Sequence, residues 1–278
     1  MPDVRPSLTV QERGGLRWLT DSSLDATTAV RIAFTTRGGG RSVGPYAGLD
    51  LAAHVGDDPV SVDGNRAALM GALGIEPLRR RLTTAEQVHG LTVREVSGAT
   101  AGMGSFADHT GPPPVPATDA LYTLEAATPI LLLYADCVPV ILVAPDPLRG
   151  VAVVHAGWKG ALGRLAGKSA KLLARAAGCD TSDLLAYIGP HIGPCHYEVA
   201  PERLSQFVDA FGSIASAQGR LDLGAVVYQT LSEVGVSPGN VVSAGVCTAE
   251  ETGSFYSFRA EGRTGRHGAL AVILERDR

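Results

Sequence analysis

The sequence predicts an α+β fold with a mixed β-sheet core flanked by helices. Segments typical of strands and of helices are interleaved along the chain, but without the regular strand–helix period of a parallel α/β fold. Three apolar segments, residues 129–135, 138–144 and 150–155, follow one another closely. Their continuous hydrophobicity predicts strands buried on both faces at the centre of a sheet. Because 278 residues with 45% hydrophobic side chains can form one core, a single domain over residues 1–278 is expected.

The first half of the chain contains a strand and a helix with clear boundaries. Residues 30–36 are strand-like and lead into a run of three glycines. The helix that follows has its N-cap at Asp57 or Asp58. Pro59 lies in its first turn and Gly74 lies beyond its end, so a helix is predicted between the cap and that glycine.

A short alternating strand is predicted over residues 92–96, before a long segment rich in glycine, proline, serine and alanine. That segment, residues 97–119, is either a linker between domains or a loop over a site. The loop is favoured, because the preceding part of the chain is too small to bury a core alone.

The second half of the chain is predicted to contain three helices and two further strands. A helix over residues 160–177 places its apolar residues on one stripe, closed by Gly178. The stripe consists of Leu162, Leu165, Ser169, Leu172, Leu173 and Ala176. The other elements are a strand at 184–188, a helix from Pro201 to Phe211, a helix capped by Asp222 that stops at Gly235, and a final strand at 269–274.

Charge and hydropathy exclude several classes of function. The formal net charge is −4, so no overall basic field favours binding to nucleic acid or to an anionic membrane. No run approaches the roughly 20 apolar residues that span a bilayer. The N-terminal segment also lacks the layout of a signal peptide. A cytoplasmic protein without nucleic-acid or membrane partners is therefore expected.

The cysteines do not follow a known redox or zinc-ribbon pattern. No two of them form a Cys-x-x-Cys pair, and a disulfide framework is not expected in a cytoplasmic protein. They are Cys137, Cys179, Cys195 and Cys247. Residues 189–199 (GPHIGPCHYEV) resemble a metal-binding run but lack its spacing. We interpret them as a turn-rich structural segment.

Three reactive side chains lie where predicted strands end. His89 precedes a glycine, Cys137 lies between two apolar strands, and His155 ends a buried strand. Strand ends are where sites gather in sheet-based folds. The three would form a His₂Cys set that suits zinc with an open fourth position. They could instead form a hydrolase pair with Cys137 as nucleophile and His155 as base, or be ordinary packing and hydrogen-bonded residues. Their spacing alone does not choose between these possibilities.

Arginines beside glycines form a second candidate site. Arg37 follows a strand and precedes three glycines. Arg259, Arg263 and Arg266 lie in a glycine-punctuated stretch near the C-terminus. Glycine lets the backbone approach a ligand, and the guanidinium group matches phosphate or carboxylate. The alternative is surface solubility, because arginine is the default cation of a chain with only three lysines.

Several motifs taken together resemble one family of proteins. The matching segments are TTRGGG (35–40), HVGDDP with NR (54–66), EQVHG (86–90), ADCVPVIL (135–142), HAGWKG (155–160), IGPHIGPCHYEV (188–199) and SFRAEGRTGR (257–266). With these motifs the chain resembles the bacterial polyphenol-oxidase-like family, also called multicopper laccase-domain or purine nucleoside phosphorylase proteins. The resemblance implies one α+β domain related to bacterial deamidating toxins. It also implies that His89, Cys137 and His155 are the metal ligands.

The chain departs from the family pattern at a few positions. Lys159 stands where arginine is usual, Asp50 where asparagine is common, and Ala260 where a second arginine often follows Arg259. These changes leave the implied metal ligands intact and affect the expected substrate range.

The resemblance carries two conflicting activities. A laccase needs a mononuclear copper and a trinuclear cluster, hence many imidazoles in His-x-His pairs, whereas this chain has seven histidines and no such pair. The purine nucleoside activity therefore fits better. It implies zinc, with copper possible at a His₂Cys site. The substrates would be adenosine, inosine or methylthioadenosine with phosphate, giving the free base and ribose 1-phosphate, with some adenosine deamination.

Residue types suggest further roles in that reaction. Arg37 or the cluster from Arg259 to Arg266 could hold phosphate, and Asp136 or Glu198 could handle protons. Three other functions stay open. One is a copper-dependent polyphenol oxidase, and another is an amidase or deamidase that uses Cys137 and His155. The third is a non-enzymatic binding protein, which no exposed amphipathic helix or charge run supports. The oligomeric state does not follow from the sequence.

Overall fold

The computed structural model describes residues 5–108, 110–145 and 149–275. In these residues the strands are β1 (Thr9–Arg13), β2 (Leu16–Thr20), β3 (Val30–Thr35), β4 (Val93–Glu95), β5 (Ala120–Thr123), β6 (Ile130–Tyr134), β7 (Val138–Ala144), β8 (Gly150–Ala156), β9 (Leu185–Ile188), β10 (Ser216–Ala217), β11 (Arg220–Leu221), β12 (Val241–Ser243) and β13 (His267–Ile273). The α-helices are α1 (Ser22–Thr27), α2 (Pro59–Ala72), α3 (Trp158–Leu162), α4 (Leu165–Ala177), α5 (Pro201–Phe211), α6 (Leu223–Glu233) and α7 (Phe258–Glu261). Among these residues, every helix is too short or too polar to serve as a bilayer span.

The strands form two larger sheets and a small hairpin of β10 and β11. The five-stranded sheet has the order β1-β2-β3-β13-β6 and is antiparallel throughout. The six-stranded sheet has the order β12-β9-β7-β8-β5-β4. It is mixed, because its outer pairs β12–β9 and β4–β5 are parallel and its inner pairs are antiparallel. The predicted α+β class with a mixed sheet and flanking helices is confirmed.

The two sheets pack face to face, and each has a further layer on its outer face. Successive side chains of a strand point to opposite faces. In β7, Ile141 and Val143 pack between the sheets, whereas Val140 and Leu142 pack against the helical layer of α3 to α6. Alternate residues of β13 pack either between the sheets or against the layer that contains α2. This layering explains why several predicted strands are apolar along their whole length.

The three central apolar segments are strands β6, β7 and β8, as predicted, but they do not share one sheet. β6 is an edge strand of the five-stranded sheet, whereas β7 and β8 are central in the six-stranded sheet. The chain passes from one sheet to the other at Asp136, whose φ of 91° is in the left-handed region. Cys137 follows directly, so the crossing between sheets places its thiol at the sheet ends.

The predicted helix at 160–177 is wrong at its start. Arg164 has a φ of 58°, and this turn separates α3 from α4. The buried stripe of α4 is also shifted from the predicted one, because Ala170 and Ala174 are buried and Ala176 is exposed. The helices predicted after Asp58, from Pro201 and after Asp222 are confirmed as α2, α5 and α6, with Asp58 and Asp222 as N-caps.

Residues 97–108 and 110–119 form turns and bends of a loop, as expected, and short pairing contacts tie this loop to the segment before it. Ala85 and Val115 form a parallel bridge, and the backbone N–H of Glu86 donates to Val115 at 2.8 Å. The loop ends at Asp119, immediately before β5. Strands β1, β2, β5, β10, β11 and β12 were not predicted from the sequence.

Candidate metal centre

The structure brings His89, Cys137 and His155 together. One ligating atom from each lies within 4.8 Å of the others, and the Sγ atom of Cys137 is 3.7 Å from Nε2 of His89. The antiparallel pairing of β7 and β8 places Pro139 opposite His155, so Cys137, directly before β7, lies beside the end of β8. His89 approaches from a loop in which it adopts a left-handed φ of 58°.

Asp119 fixes both histidines, and sequence reasoning did not find it. Its Oδ1 atom lies 2.9 Å from Nδ1 of His155 and accepts the backbone N–H of His89 at 3.0 Å. Its Oδ2 atom accepts the backbone N–H of Gly90 at 2.6 Å. Because Nδ1 of His155 is engaged, Nε2 is the nitrogen left for a ligand.

The charge state of Asp119 agrees with this role. Its side chain is fully buried, and burial alone would raise its pKa. The hydrogen bonds from His155 and from the backbone of Gly90 outweigh burial and lower the pKa of Asp119 below its ordinary value. The carboxylate is therefore ionised and can act as a fixed acceptor.

Cys137 and His155 each shift the pKa of the other. Burial would raise the pKa of the thiol, but His155 and His89 outweigh it and lower the pKa of Cys137 to about 6. Burial would likewise lower the pKa of His155, but the Cys137 thiolate and Asp119 raise it to about 9. A thiolate is the form of cysteine that binds metals and attacks electrophiles.

The donor set and its spacing fit a zinc ion. Two imidazoles and one thiolate with an open fourth position are the ligands of a catalytic zinc site. Tetrahedral zinc, with bonds of about 2.0 to 2.3 Å, holds neighbouring donors roughly 3.5 Å apart. The 3.7 Å between Cys137 Sγ and His89 Nε2 is close to that spacing. Gly157 leaves the room, since a Cβ there would lie 2.7 Å from His89 Cδ2 and 3.1 Å from Cys137 Sγ.

These three residues open into a cavity of about 410 Å³. Its wall combines aromatic side chains with two arginines, Arg259 and Arg266. The aromatic residues are Trp158, Tyr197 and Phe258, and the remaining lining residues include His54, Gln87, Leu133, Ala135 and Asp136. Aromatic faces and cations beside a metal-ligand set can hold a flat, polar ligand that carries or accompanies an anion.

The structure divides the predicted arginines into two groups. Arg259 and Arg266 line the cavity, whereas Arg37 and Arg263 do not. The Nη1 atom of Arg37 donates to the carboxylate of Glu261 and to the carbonyl of Thr252, both at 2.7 Å. The Nε atom of Arg263 donates to the hydroxyl of Tyr46 at 2.7 Å.

The two acidic residues predicted to handle protons also differ. Asp136 lines the cavity, but both of its carboxylate oxygens accept hydrogen bonds at 2.7 Å. The donors are the hydroxyl of Thr248 and the backbone N–H of Arg259. Glu198 is exposed and outside the cavity lining, and its carbonyl accepts a hydrogen bond from Arg259 at 2.8 Å. Asp136 therefore holds the chain segment that carries Arg259 against the cavity.

Gln87 is a further residue that sequence reasoning did not assign. Its side chain forms two hydrogen bonds with the backbone of Leu133, at 2.8 and 2.9 Å. It therefore ties the loop that carries His89 to the edge of β6. The only sequence signal was its place two residues before His89, in the motif EQVHG.

Comparison with known proteins gives consistent similarities over nearly the whole chain. Residues 31–274 match the family described as multi-copper polyphenol oxidoreductase laccase. The purine nucleoside phosphorylase YlmD of Geobacillus stearothermophilus is 36% identical, over 98% of this chain and 98% of its own length. A purine nucleoside phosphorylase of Deinococcus radiodurans is 37% identical, over 90% of this chain and 91% of its own length.

Solved structures show the same fold. The crystal structure of YlmD from Geobacillus stearothermophilus superposes with a TM-score of 0.86 and 32% identity, over 99% of this chain and 100% of that one. The hypothetical protein YfiH of Bacillus licheniformis superposes with a TM-score of 0.85 and 29% identity, over 96% of this chain and 99% of that one.

Proposed function

Since this chain belongs to the multi-copper polyphenol oxidoreductase laccase family and its relatives carry the name purine nucleoside phosphorylase, we propose that it is a zinc-containing purine nucleoside phosphorylase. Its substrates are adenosine, inosine or methylthioadenosine together with inorganic phosphate. The products are the free base and the ribose 1-phosphate. Adenosine deamination is a second reaction of the same site, and the enzyme acts in the cytoplasm.

One observation carries this proposal: a His₂Cys ligand set, three aromatic side chains and two arginines share one cavity. Phosphorolysis breaks the bond between the base and the sugar and forms a bond from C1′ to a phosphate oxygen. It needs a surface for the base and cations for the phosphate in one enclosed space. Trp158, Tyr197 and Phe258 supply the first, and Arg259 and Arg266 supply the second.

The metal ligands of this proposal are His89, Cys137 and His155. A zinc ion bound by these residues would supply Lewis-acid chemistry to the cavity. The chain itself holds the ligands in place through Asp119, which orients His155 and the His89 loop. The carboxylate of Asp136 accepts the backbone N–H of Arg259 and so keeps Arg259 at the cavity wall.

A laccase reaction is less well supported by the same residues. A trinuclear copper cluster needs many imidazoles, and the cavity lining within the described residues contains His54, His89 and His155. Copper could replace zinc at the His₂Cys set, because thiolate and imidazole bind both metals. Copper bound at these three ligands would therefore not by itself make the protein a laccase.

The test follows adenosine with and without phosphate by chromatography, with metal content measured on each sample. We expect wild type to release adenine only when phosphate is present and to form inosine slowly without it. Cys137→Ala should lose both reactions. Cys179→Ala is the matched control, because Cys179 is half-buried and outside the cavity, and it should keep both. No turnover from a folded, zinc-loaded wild type would overturn the proposal.

A second candidate function rests on the alignment of Cys137, His155 and Asp119. In this order the residues resemble a nucleophile, its base and the carboxylate that orients the base. A cysteine amidase or deamidase could use them without metal. Zinc would occupy the thiolate, so removal of zinc should raise amidase activity and abolish phosphorolysis. Amide hydrolysis by the chelated protein, lost in Cys137→Ala, would favour this second function.

A further inference from the structure

A second cluster of metal-ligating side chains lies outside the cavity described above. Cys195 and His196 lie in the loop after β9, and Cys247 and Glu250 lie in the loop after β12. Because β9 and β12 are parallel neighbours, their C-terminal ends lie side by side, and the two loops leave the sheet at the same end. A parallel bridge between His191 and Cys247 continues the pairing into the loops. Segment 189–199, interpreted above as structural, therefore meets donors from about fifty residues downstream.

The distances within this second cluster (Cys195, His196, Cys247 and Glu250) are those of a compact ligand set. All four ligating atoms lie within 4.8 Å of one another. Nδ1 of His196 is 3.2 Å from Sγ of Cys195 and 3.7 Å from Sγ of Cys247. Sγ of Cys195 is 4.0 Å from Oε2 of Glu250. One ion could therefore reach all four donors after small side-chain movements.

Gly193 shapes the space between the two sulfur atoms. Its backbone N–H donates to Sγ of Cys247 at 3.2 Å, a contact that stabilises a thiolate. A Cβ at this position would lie 3.2 Å from Sγ of Cys195 and 3.3 Å from Cβ of Cys247. These contacts are tighter than ordinary van der Waals contact, so a larger residue at position 193 would push the two cysteines slightly away. Both cysteines are free thiols, and both line an open cavity of about 450 Å³ through which an ion can enter.

We propose that the second cluster is a structural zinc site. Two thiolates, an imidazole and a carboxylate form a soft, four-donor set, which suits tetrahedral zinc and not calcium or magnesium, whose ligands are oxygens. Four protein ligands leave no open position, so the ion has no direct part in catalysis. Its function is to join the loops after β9 and β12.

The joined loops also support the cavity. Thr248, next to Cys247, donates its hydroxyl proton to Asp136 at 2.7 Å. Asp136 in turn precedes Cys137 and accepts the backbone N–H of Arg259. Zinc at the second cluster therefore orders the chain that positions Cys137 and Arg259. The inference does not depend on the reaction proposed above, because it concerns metal content and stability.

The experiment separates the two ligand sets in the full-length protein. A cavity-deficient protein carries His89→Ala and Cys137→Ala, and a cluster-deficient protein carries Cys195→Ser and Cys247→Ser. Each is reduced, loaded with zinc, dialysed and analysed for zinc and free thiols. We expect about one zinc ion per chain in each, about two in wild type, and none when all four substitutions are combined. Cys179→Ser, outside both ligand sets, should match wild type.

Two further measurements guard against misfolding and oxidation. Circular dichroism establishes that each protein is folded, and cobalt substitution of the cavity-deficient protein should give a thiolate-to-cobalt absorption band that the combined substitutions Cys195→Ser and Cys247→Ser remove. A chelator should lower the Tm of the cavity-deficient protein but leave the Tm of the fourfold variant unchanged. The proposal is overturned if the folded, reduced cavity-deficient protein holds no zinc. A Cys195–Cys247 disulfide that persists in reducing buffer, or binding of copper in place of zinc, would equally overturn it.

Discussion

The carboxylate of Asp119 joins the two histidines of the proposed metal centre: Oδ1 lies 2.9 Å from Nδ1 of His155 and 3.0 Å from the backbone nitrogen of His89. The histidines are 66 residues apart in the chain, and their common acceptor comes from the loop between them. Hydrogen bonds behind a metal ligand set its orientation and its basicity. One buried side chain thus controls the geometry of most of the ligand set.

Replacement of Asp119 by asparagine should weaken zinc binding at the cavity by roughly 10- to 100-fold. The amide oxygen could replace Oδ1, but the NH₂ group in place of Oδ2 cannot accept the backbone N–H of Gly90, and the negative charge beside His155 is lost. Competition with a chromophoric chelator would measure the affinity of Asp119→Asn. Asp209→Asn, at an exposed position of α5, is the control with unchanged binding. Equal zinc affinity in the two variants would remove Asp119 from this role.

Gly157 gives a second test of the ligand geometry. Its φ of −69° suits any residue, so Gly157→Ala tests space and not backbone strain. The added methyl group would lie 2.7 Å from Cδ2 of His89 and should lower zinc affinity by about tenfold or more. Gly71→Ala, on the exposed face of α2 with nothing within 4 Å, should keep the affinity and raise Tm slightly. A metal affinity that survives Gly157→Ala would show that His89 is not held against Cys137 when zinc binds.

The sequence predicted the strand-end positions of Cys137 and His155 because local hydrophobicity marks where buried strands stop, whereas His89 lies in a loop and not at the end of a strand. The sequence could not predict Asp119 as their partner, since the contacts span 30 and 36 residues and leave no local pattern. The same limit explains the single predicted sheet. The left-handed turn at Asp136 sends β6 and β7 into different sheets, and apolar strands look alike in either one.

The arginines are a second example of long-range contacts that local sequence does not predict. Local sequence favours Arg37, which directly precedes three glycines, over the cluster that contains Arg259 as the phosphate ligand. Only the folded chain shows that Glu261, 224 residues away, takes the guanidinium of Arg37. Local sequence can therefore nominate a cation, but it does not show whether that cation is already paired.

Substitution of the cavity arginines should raise the KM for phosphate. Loss of a charge-assisted hydrogen bond costs about 1.5 to 3 kcal/mol, which corresponds to a rise of roughly 10- to 100-fold for Arg259→Gln or Arg266→Gln. Initial rates at varied phosphate and saturating adenosine would measure it. Arg37→Gln is the comparison: its phosphate KM should stay at the wild-type value, while its Tm falls because Glu261 loses its partner. A phosphate effect confined to Arg37→Gln would reverse this assignment.

Asp50 should make the protein less stable as the pH rises towards neutrality. Its side chain is fully buried, Oδ2 has no hydrogen-bond partner among the described residues, and burial raises its pKa from 3.8 to about 7. The folded protein therefore keeps a proton that the unfolded chain releases between these two pH values. The stabilisation is complete below pH 4 and is lost as the pH rises through 7, roughly 4 kcal/mol in all at 1.36 kcal/mol per pH unit.

Asp50→Asn removes this titration and places a neutral amide in the same space. The free energy of unfolding, measured with denaturant from pH 4 to 8, should fall less steeply for Asp50→Asn than for wild type. The variant should consequently be the more stable protein at pH 8. Asp58→Asn is the control of opposite sign, because hydrogen bonds from Ser61 lower the pKa of this exposed N-cap, and its stabilisation is lost as the pH falls. If Asp50→Asn and wild type show parallel curves, Asp50 is ionised in the folded protein and a positive group must compensate its burial.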